Sequence, residues 1–243
     1  MVVIDRRNRL PLYIQLKEVI IQKIDNQIWV TGDTIPTERE LQDQYNLSRT
    51  TVRQALTELV SEGVLERIQG KGTFVAAPKL EPLRPDVTSF TQDMNSQGKQ
   101  VQSIILEEGF ERCSKKIATA LRIDERDVVY KLVRLRLVDQ IIIGYHEAFL
   151  HPILTKHIDF NTYDFTKDSL YDCLEKEGIV WGESDETVEA SLAGDRYAQL
   201  LRIENTSPIL KLTRLTRLNN NRPLEYTTMV YRADKYKYSV KLR

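Results

Sequence analysis

Cysteine is nearly absent from this 243-residue chain, which holds only Cys113 and Cys173. Two thiols cannot build a disulfide framework and carry no nucleophile signature, so an intracellular, cytoplasmic protein is expected. Histidine is scarce too. His146, His151 and His157 lie near one another in sequence but lack the compact spacing of metal ligands, and no metal or other cofactor is expected. No run approaches the roughly 18 consecutive apolar residues of a membrane-spanning helix. The opening Met1-Val2-Val3-Ile4-Asp5-Arg6-Arg7 lacks the charged-then-apolar order of a secretory signal. A surplus of either charge is also missing, with 35 Lys+Arg against 35 Asp+Glu. That removes the simplest argument for a nucleic-acid binder, a basic excess. Any such case must rest on where the charges sit.

What the chain does have is a globular composition, 41% apolar and 29% charged, with length for one large or two ordinary domains. Three of its eight prolines, Pro78, Pro82 and Pro85, fall within residues 78–86. Such a stretch cannot continue a helix and suits an extended linker. It divides the chain into residues 1–77, the size of a small helical module, and residues 87–243, an ordinary single domain.

In the first segment Pro11 opens a helix in which Leu12, Leu16, Ile20 and Ile24 recur every four residues. Thr37-Glu38-Arg39-Glu40 fits a capping box ahead of a short helix over 38–45. Asn46-Leu47 then turns the chain, and Ser48 can cap a third helix. There Val52, Ala55, Leu56, Leu59 and Val60 form one apolar stripe, while Arg49, Thr50, Arg53 and Thr57 take the opposite face. Gly63 can end this helix. Two short strands, 64–68 and 73–75, follow around Gln69-Gly70-Lys71-Gly72. Three helices and a β-hairpin predict a winged helix-turn-helix. Arg49 and Arg53, one turn apart beside Thr50 and Thr51, offer guanidinium forks and hydroxyls suited to phosphates and guanine edges in a major groove. A merely solvated face is the competing explanation. Residues 1–77 hold ten basic and ten acidic residues, yet Arg49, Arg53, Arg67 and Lys71 meet only Glu58, Glu62 and Glu66 locally.

The second segment predicts an α+β domain with a largely antiparallel sheet. Helices are expected over 88–97, 114–121, 169–177 and, capped by Asp195, to Leu201. Strands are expected over 103–111, 128–138, 141–150, 183–191, 208–218 and 223–232. An internal duplication runs through it. Leu121-Arg122-Ile123 returns 80 residues on as Leu201-Arg202-Ile203, and Lys131, Leu132, Arg134 and Leu135 return as Lys211, Leu212, Arg214 and Leu215. Pairing Glu147 with Glu225 would make the second turn the shorter one, and a cleft is expected between the halves. Arg134 and Arg136 share one face of their strand. Two adjacent guanidiniums repel unless an anion lies between them, and a phosphate suits that place. Salt bridges to carboxylates of a neighbouring strand are the alternative, with Glu147 and Glu225 as partners rather than as acceptors for sugar hydroxyls.

Several motifs in order resemble the GntR family of bacterial repressors. These are Pro11-Leu12-Tyr13-Ile14-Gln15-Leu16, Ile35-Pro36-Thr37-Glu38-Arg39-Glu40-Leu41, Leu47-Ser48-Arg49-Thr50-Thr51-Val52-Arg53-Gln54-Ala55-Leu56 and Gly70-Lys71-Gly72-Thr73-Phe74-Val75. Thr37 stands where that family usually has serine. The resemblance implies DNA contacts from Arg39, Ser48, Arg49, Thr50, Thr51 and Arg53, with Gly70 and Lys71 at the wing tip. Thr88-Ser89-Phe90-Thr91-Gln92-Asp93-Met94, Tyr130 to Val138, Ser169-Leu170-Tyr171-Asp172 and Glu225 through Tyr236 resemble the effector-binding (UTRA) domain of the HutC subfamily, whose fold is similar to chorismate lyase. The pattern looks like that of regulators of N-acetylglucosamine use. It implies phosphate contacts from Arg134, Arg136, Ser169 and Tyr171 with Ser89 and Phe90 nearby, and sugar contacts from Glu147, Glu225 and Tyr231. The expected protein is a repressor that binds a palindromic double-stranded operator as a homodimer and is released by a small sugar phosphate. A lyase-like enzyme with a vestigial DNA module is the alternative.

Overall fold

Pro11 caps helix α1 (Leu12–Asp25), and Leu16 and Ile20 on its inner side are wholly buried. The Thr37 capping box forms in both directions: Glu40 N–H donates to Thr37 Oγ1 at 3.3 Å, and Thr37 N–H donates to Glu40 Oε2 at 2.8 Å. It starts α2 (Glu38–Tyr45), which ends on Asn46 in the left-handed region at φ 50°. That turn delivers Ser48, whose hydroxyl accepts from Thr51 N–H at 3.1 Å, to cap α3 (Arg49–Ser61). Val52, Ala55, Leu56 and Leu59 then close on Leu16, Ile20 and Leu41. Each large apolar side chain buried there contributes about 1.5–3 kcal/mol, which holds so small a unit together. Strands β1 (Leu65–Ile68) and β2 (Gly72–Val75) pair antiparallel as the wing.

The computed structural model describes residues 4–81 and 89–240. The chain divides into two units, Met1–Leu80 with Ala233–Lys235, and Glu81–Arg232 with Tyr236–Arg243. Most of the expected proline linker at 78–86, and Thr88 of the expected helix, lie outside the described residues.

The second unit is a six-stranded antiparallel sheet in the order β3-β4-β5-β8-β7-β6. Its elements are α4 (Phe90–Ser96), β3 (Val101–Arg112), α5 (Lys115–Leu121), β4 (Val128–Val138), β5 (Ile141–Leu150), α6 (Leu170–Lys176), β6 (Trp181–Leu192), α7 (Gly194–Leu201), β7 (Pro208–Leu218) and β8 (Pro223–Arg232). The succession strand, helix, strand, strand occurs twice, as β3-α5-β4-β5 and as β6-α7-β7-β8. Both helices end on a left-handed arginine, Arg122 and Arg202, each at φ 55°.

Register fixes the internal symmetry. Arg134 lies opposite His146 and Arg136 opposite Gly144, while Arg214 lies opposite Thr227 and Thr216 opposite Glu225. Across the middle of the sheet Gly144 pairs with Tyr231, Leu150 with Glu225, and Glu147 with Thr228. The pseudo-two-fold axis therefore passes between Glu147 and Thr228. This corrects the expected equivalence of Glu147 and Glu225: the counterpart of Glu225 is Gly144. The second hairpin turn is also the longer one, spanning 219–222 against 139–140. Asp195 does not cap α7 either. Ala193 is the N-cap residue with no side-chain cap, and Asp195 sits in the first turn.

Candidate functional site

Two surfaces of different character emerge, one in each unit. On the first, Arg39, Ser48, Arg49, Thr50, Arg53, Gly70 and Lys71 are exposed and Thr51 is half-buried. Ser48 Oγ lies 2.8 Å from both Thr50 Oγ1 and Thr51 Oγ1, so these hydroxyls are already oriented by the cap. The three carboxylates that lie among the basic residues in sequence are taken by lysines from elsewhere. Glu58 and Glu62 both meet Lys17 of α1, and Glu66 meets Lys235 at 3.0 Å. The hydrogen bond from Lys17 holds the Glu58 carboxyl below its ordinary pKa, against burial. Among the described residues Arg39, Arg49, Arg53 and Lys71 have no carboxylate at ion-pair distance, whereas Arg67 does, Glu38 at 3.4 Å. A domain with no net charge thus presents a locally cationic face at the start of α3 and the wing tip, which is the arrangement phosphate contact requires.

The second surface is a cavity of about 210 Å³ on the sheet face covered by α4 and α6. Period-two alternation aims Arg134 and Arg136 of β4, His146 of β5 and Glu225, Thr227 and Tyr231 of β8 into it. Ser89 and Ser169, the N-cap residues of α4 and α6, and Phe90 and Tyr171 just after them close it from above. Arg136 is 2% exposed and Arg134 6%. Arg136 donates to Ser103 Oγ at 2.9 Å and to Thr91 Oγ1 at 2.6 Å, and Arg134 donates to the Asp168 carbonyl at 3.3 Å. Among the described residues neither guanidinium has a carboxylate at ion-pair distance. The salt-bridge alternative for this pair is therefore not realised.

Among the described residues, four polar atoms around the pair have no hydrogen-bond partner: Arg134 Nε, Arg136 Nε, His146 Nε2 and Thr227 Oγ1. Buried polar atoms are ordinarily satisfied, so this cluster marks a place prepared for something else. Burial pushes the Arg134 pKa down to about 10. Burial first, then repulsion from Arg134, pulls Arg136 well below its ordinary value. His146 is likewise driven well below the usual histidine range by burial and by both arginines. All three shifts have the sign that a nearby anion would relieve.

Across the cavity the chemistry changes. Tyr171 O–H donates to Glu225 Oε2 at 2.6 Å, with Thr216 Oγ1 3.0 Å from the phenol oxygen. Arg214 Nε donates to Glu186 Oε2 at 2.7 Å. Tyr231 forms part of the wall, stacked between Phe90 and Tyr236.

Of the nine residues expected at an effector site, eight line this cavity: Ser89, Phe90, Arg134, Arg136, Ser169, Tyr171, Glu225 and Tyr231. Glu147 is the exception and a correction. It lies between His146 and Ala148 on β5, so it points to the opposite face, where Lys131 Nζ is 4.0 Å away. Sequence reasoning missed His146, Thr91, Glu186, Arg214 and Thr227. The duplication carried a signal for Arg214, the repeat of Arg134. His146 and Glu186 are visible only through cross-strand register.

Comparison with known proteins agrees with this division. Residues 12–75 match the bacterial regulatory proteins of the gntR family, and residues 96–237 match the UTRA domain. The chain is 31% identical over 236 residues to the HTH-type transcriptional repressor NagR of Bacillus subtilis, covering 97% of this chain and 96% of that one. It is 31% identical over 206 residues to the histidine utilization repressor of Pseudomonas putida, covering 85% and 82%. Among solved structures, PhnF from Mycobacterium smegmatis superposes with a TM-score of 0.65 at 26% identity, covering 93% of this chain and 98% of that one.

Proposed function

Because this chain belongs to the GntR family of bacterial regulatory proteins, with a UTRA domain behind its helix-turn-helix, we propose that its cavity binds a small phosphorylated sugar or amino sugar. It is a ligand-responsive DNA-binding transcriptional repressor, not an enzyme. The observation that carries the effector reading is the Arg134–Arg136 pair, two buried guanidiniums that, among the described residues, have no carboxylate at ion-pair distance and no hydrogen-bond partner for either Nε. A phosphate supplies the missing charge and acceptors together. Ser89 and Ser169 flank that end, and Glu225, Tyr171 and Tyr231 offer acceptors and an aromatic wall for a sugar ring. The resemblance of this chain's effector domain to those of regulators of N-acetylglucosamine use supports a ligand of this class.

Functionally, residues 1–77 are the reading module, 78–86 the connection and 87–243 the sensor. Arg49, Arg53 and Thr50 read or clamp the major groove. Arg39, Ser48 and Thr51 hold phosphates beside it, and Gly70 and Lys71 place the wing. One such module gives a small interface, so the protein acts as a homodimer on a palindromic operator in the cytoplasm. Effector and operator oppose each other through a coupling of about 1–3 kcal/mol, or roughly 5–150-fold. Calorimetry of the full chain with glucosamine 6-phosphate against glucosamine tests the reading. Equal affinity for the two would end it, and a monomeric mass in sedimentation at micromolar concentration would end the dimer.

A further inference from the structure

The duplication that built the sheet would, left to itself, have produced two anion sites, and one of them is closed. On the cavity face of the first half, one cross-strand row is Ser103-Arg136-Gly144 and the next is Ile105-Arg134-His146. The pseudo-two-fold carries these to Ser184-Thr216-Glu225 and Glu186-Arg214-Thr227. Arg214 is therefore the structural counterpart of Arg134, three strand spacings away, or roughly 14 Å. What differs is the neighbour. Arg134 has Ile105 beside it, which brings no charge. Arg214 has Glu186, at 2.7 Å from its Nε, with the two side chains 21% and 12% exposed. The remaining exchanges act in the same direction, since Thr216 replaces Arg136 and Glu225 replaces Gly144. Counting the strand residues, one half of the cavity holds two guanidiniums and no carboxylate, a formal +2, while Asp93 of α4 also lines the cavity. The other holds one guanidinium and two carboxylates, a formal −1.

Resting on the sugar-phosphate reading of the cavity, we infer that Glu186 is a specificity-determining residue: it neutralises Arg214, closes the second anion site, and restricts the effector to one anionic end and a hydroxyl- or amine-bearing other end. A second phosphate at that end would meet Glu186 and Glu225 in a buried space, with Arg214 already balanced by Glu186. Discrimination by like charge is strong where water is excluded. A hydroxyl or ammonium there would instead donate to Glu225, whose carboxylate lines the cavity and is held by Tyr171.

The test uses the full chain and a matched pair of ligands, glucose 6-phosphate and glucose 1,6-bisphosphate, with glucosamine 6-phosphate as the amine-bearing monophosphate. Calorimetry should show wild type favouring the monophosphates by about tenfold or more. Glu186→Gln should shrink that preference by about tenfold, because Arg214 is released to take the second phosphate, and the bisphosphate should now raise the variant's melting temperature about as much as the monophosphate does. Glu186→Ile, which copies Ile105 of the other half, serves as a second variant with the same expectation. The inference is overturned if wild type binds the bisphosphate as tightly as the monophosphate, or if the folded variants keep the wild-type ratio. Should neither variant fold, the wild-type preference alone decides. If none of the three ligands binds wild type, the sugar-phosphate reading itself fails and this inference fails with it.

Discussion

The molecule carries two pairs of arginines, each spaced to share one face of its element, and their surroundings make them different instruments. Arg49 and Arg53 sit one turn apart on α3 and are exposed. Arg134 and Arg136 sit two apart on β4 and are buried side by side. For the exposed pair water has already solvated the charge, so a partner gains mostly through released counterions, and its affinity is soft and salt-dependent. For the buried pair folding has already removed the water. An anion that enters meets donors that need no further desolvation, and its affinity is steep and local. Under the proposed function the same side chain serves as a reader of a long polyanion in one unit and as a receptor for a single small anion in the other.

The comparison breaks most visibly if the buried pair is removed. Arg134→Ala and Arg136→Ala should each cost about 2–5 kcal/mol of effector affinity, while operator binding in the absence of effector stays within experimental error. Stability should move the other way from ordinary core truncation. Replacing a buried unpaired charge by an apolar chain of similar length, as in Arg134→Met, should leave the ligand-free protein as stable or about 1–3 kcal/mol more stable. Denaturant unfolding without effector checks it, and a loss of stability comparable to Leu→Ala in a core would show that the guanidinium is structural.

The exposed pair predicts the opposite pattern with a smaller effect. Arg49→Ala or Arg53→Ala should weaken operator binding by about 1–3 kcal/mol where a base is read, or lower the salt slope by about one where a phosphate is held. Both side chains lie opposite Val52, Ala55, Leu56 and Leu59, so the melting temperature should not change. Wild-type affinity in a gel shift with both variants would make this face merely solvated.

How much of this was legible in the residues follows from which periodicities survive without a partner. The α3 stripe, the Ser48 cap and the Thr37–Glu40 capping box are local, and the structure forms all of them. The adjacency of Arg134 and Arg136 on one strand face is also local. Register is not local. It depends on irregularities between Ile105 and Glu107, Trp181 and Ser184, and Thr216 and Arg217, and period-two patterning does not fix where a strand slips. Glu186 and His146 were invisible for that reason, although each lies directly across from an arginine.

His146 sharpens the comparison through pH. Its folded pKa is depressed well below 6.5 by burial and by the two arginines, so the unfolded chain takes up a proton that the folded chain refuses. Stability is therefore present above about pH 6.5 and falls as pH drops below it. The loss between pH 7 and 5.5 should be about 1 kcal/mol for a single such histidine. His146→Gln should flatten that part of the profile, leaving whatever His151, also depressed chiefly by burial, contributes. Effector should flatten it as well, since an anion beside His146 stabilises the imidazolium. A variant whose melting temperature falls as steeply as that of wild type would show that the acid sensitivity arises elsewhere.

The smallest expected effect is the one that separates the two faces of the sheet. Glu147 and Glu225 look alike as residue types and as places in a repeated hairpin, and matching them by kind puts both at the ligand. Register puts Glu147 beside the pseudo-two-fold axis instead, on the face turned toward α5, with Lys131 at 4.0 Å. It is half-buried rather than sealed, so neutralising it leaves Lys131 its other partners, Glu107 at 2.8 Å and Glu111 at 3.3 Å. Glu147→Gln should accordingly change effector affinity by less than about twofold and stability by no more than about 0.5 kcal/mol. Glu225→Gln, one change of the same size on the other face, should cost about 1.5–3 kcal/mol of effector affinity by exchanging a charged acceptor for a neutral one. Titrating both variants with glucosamine 6-phosphate reads the difference directly. A loss at Glu147 equal to that at Glu225 would mean that the strand register of β5 is shifted by one residue, and with it every assignment made on the cavity face.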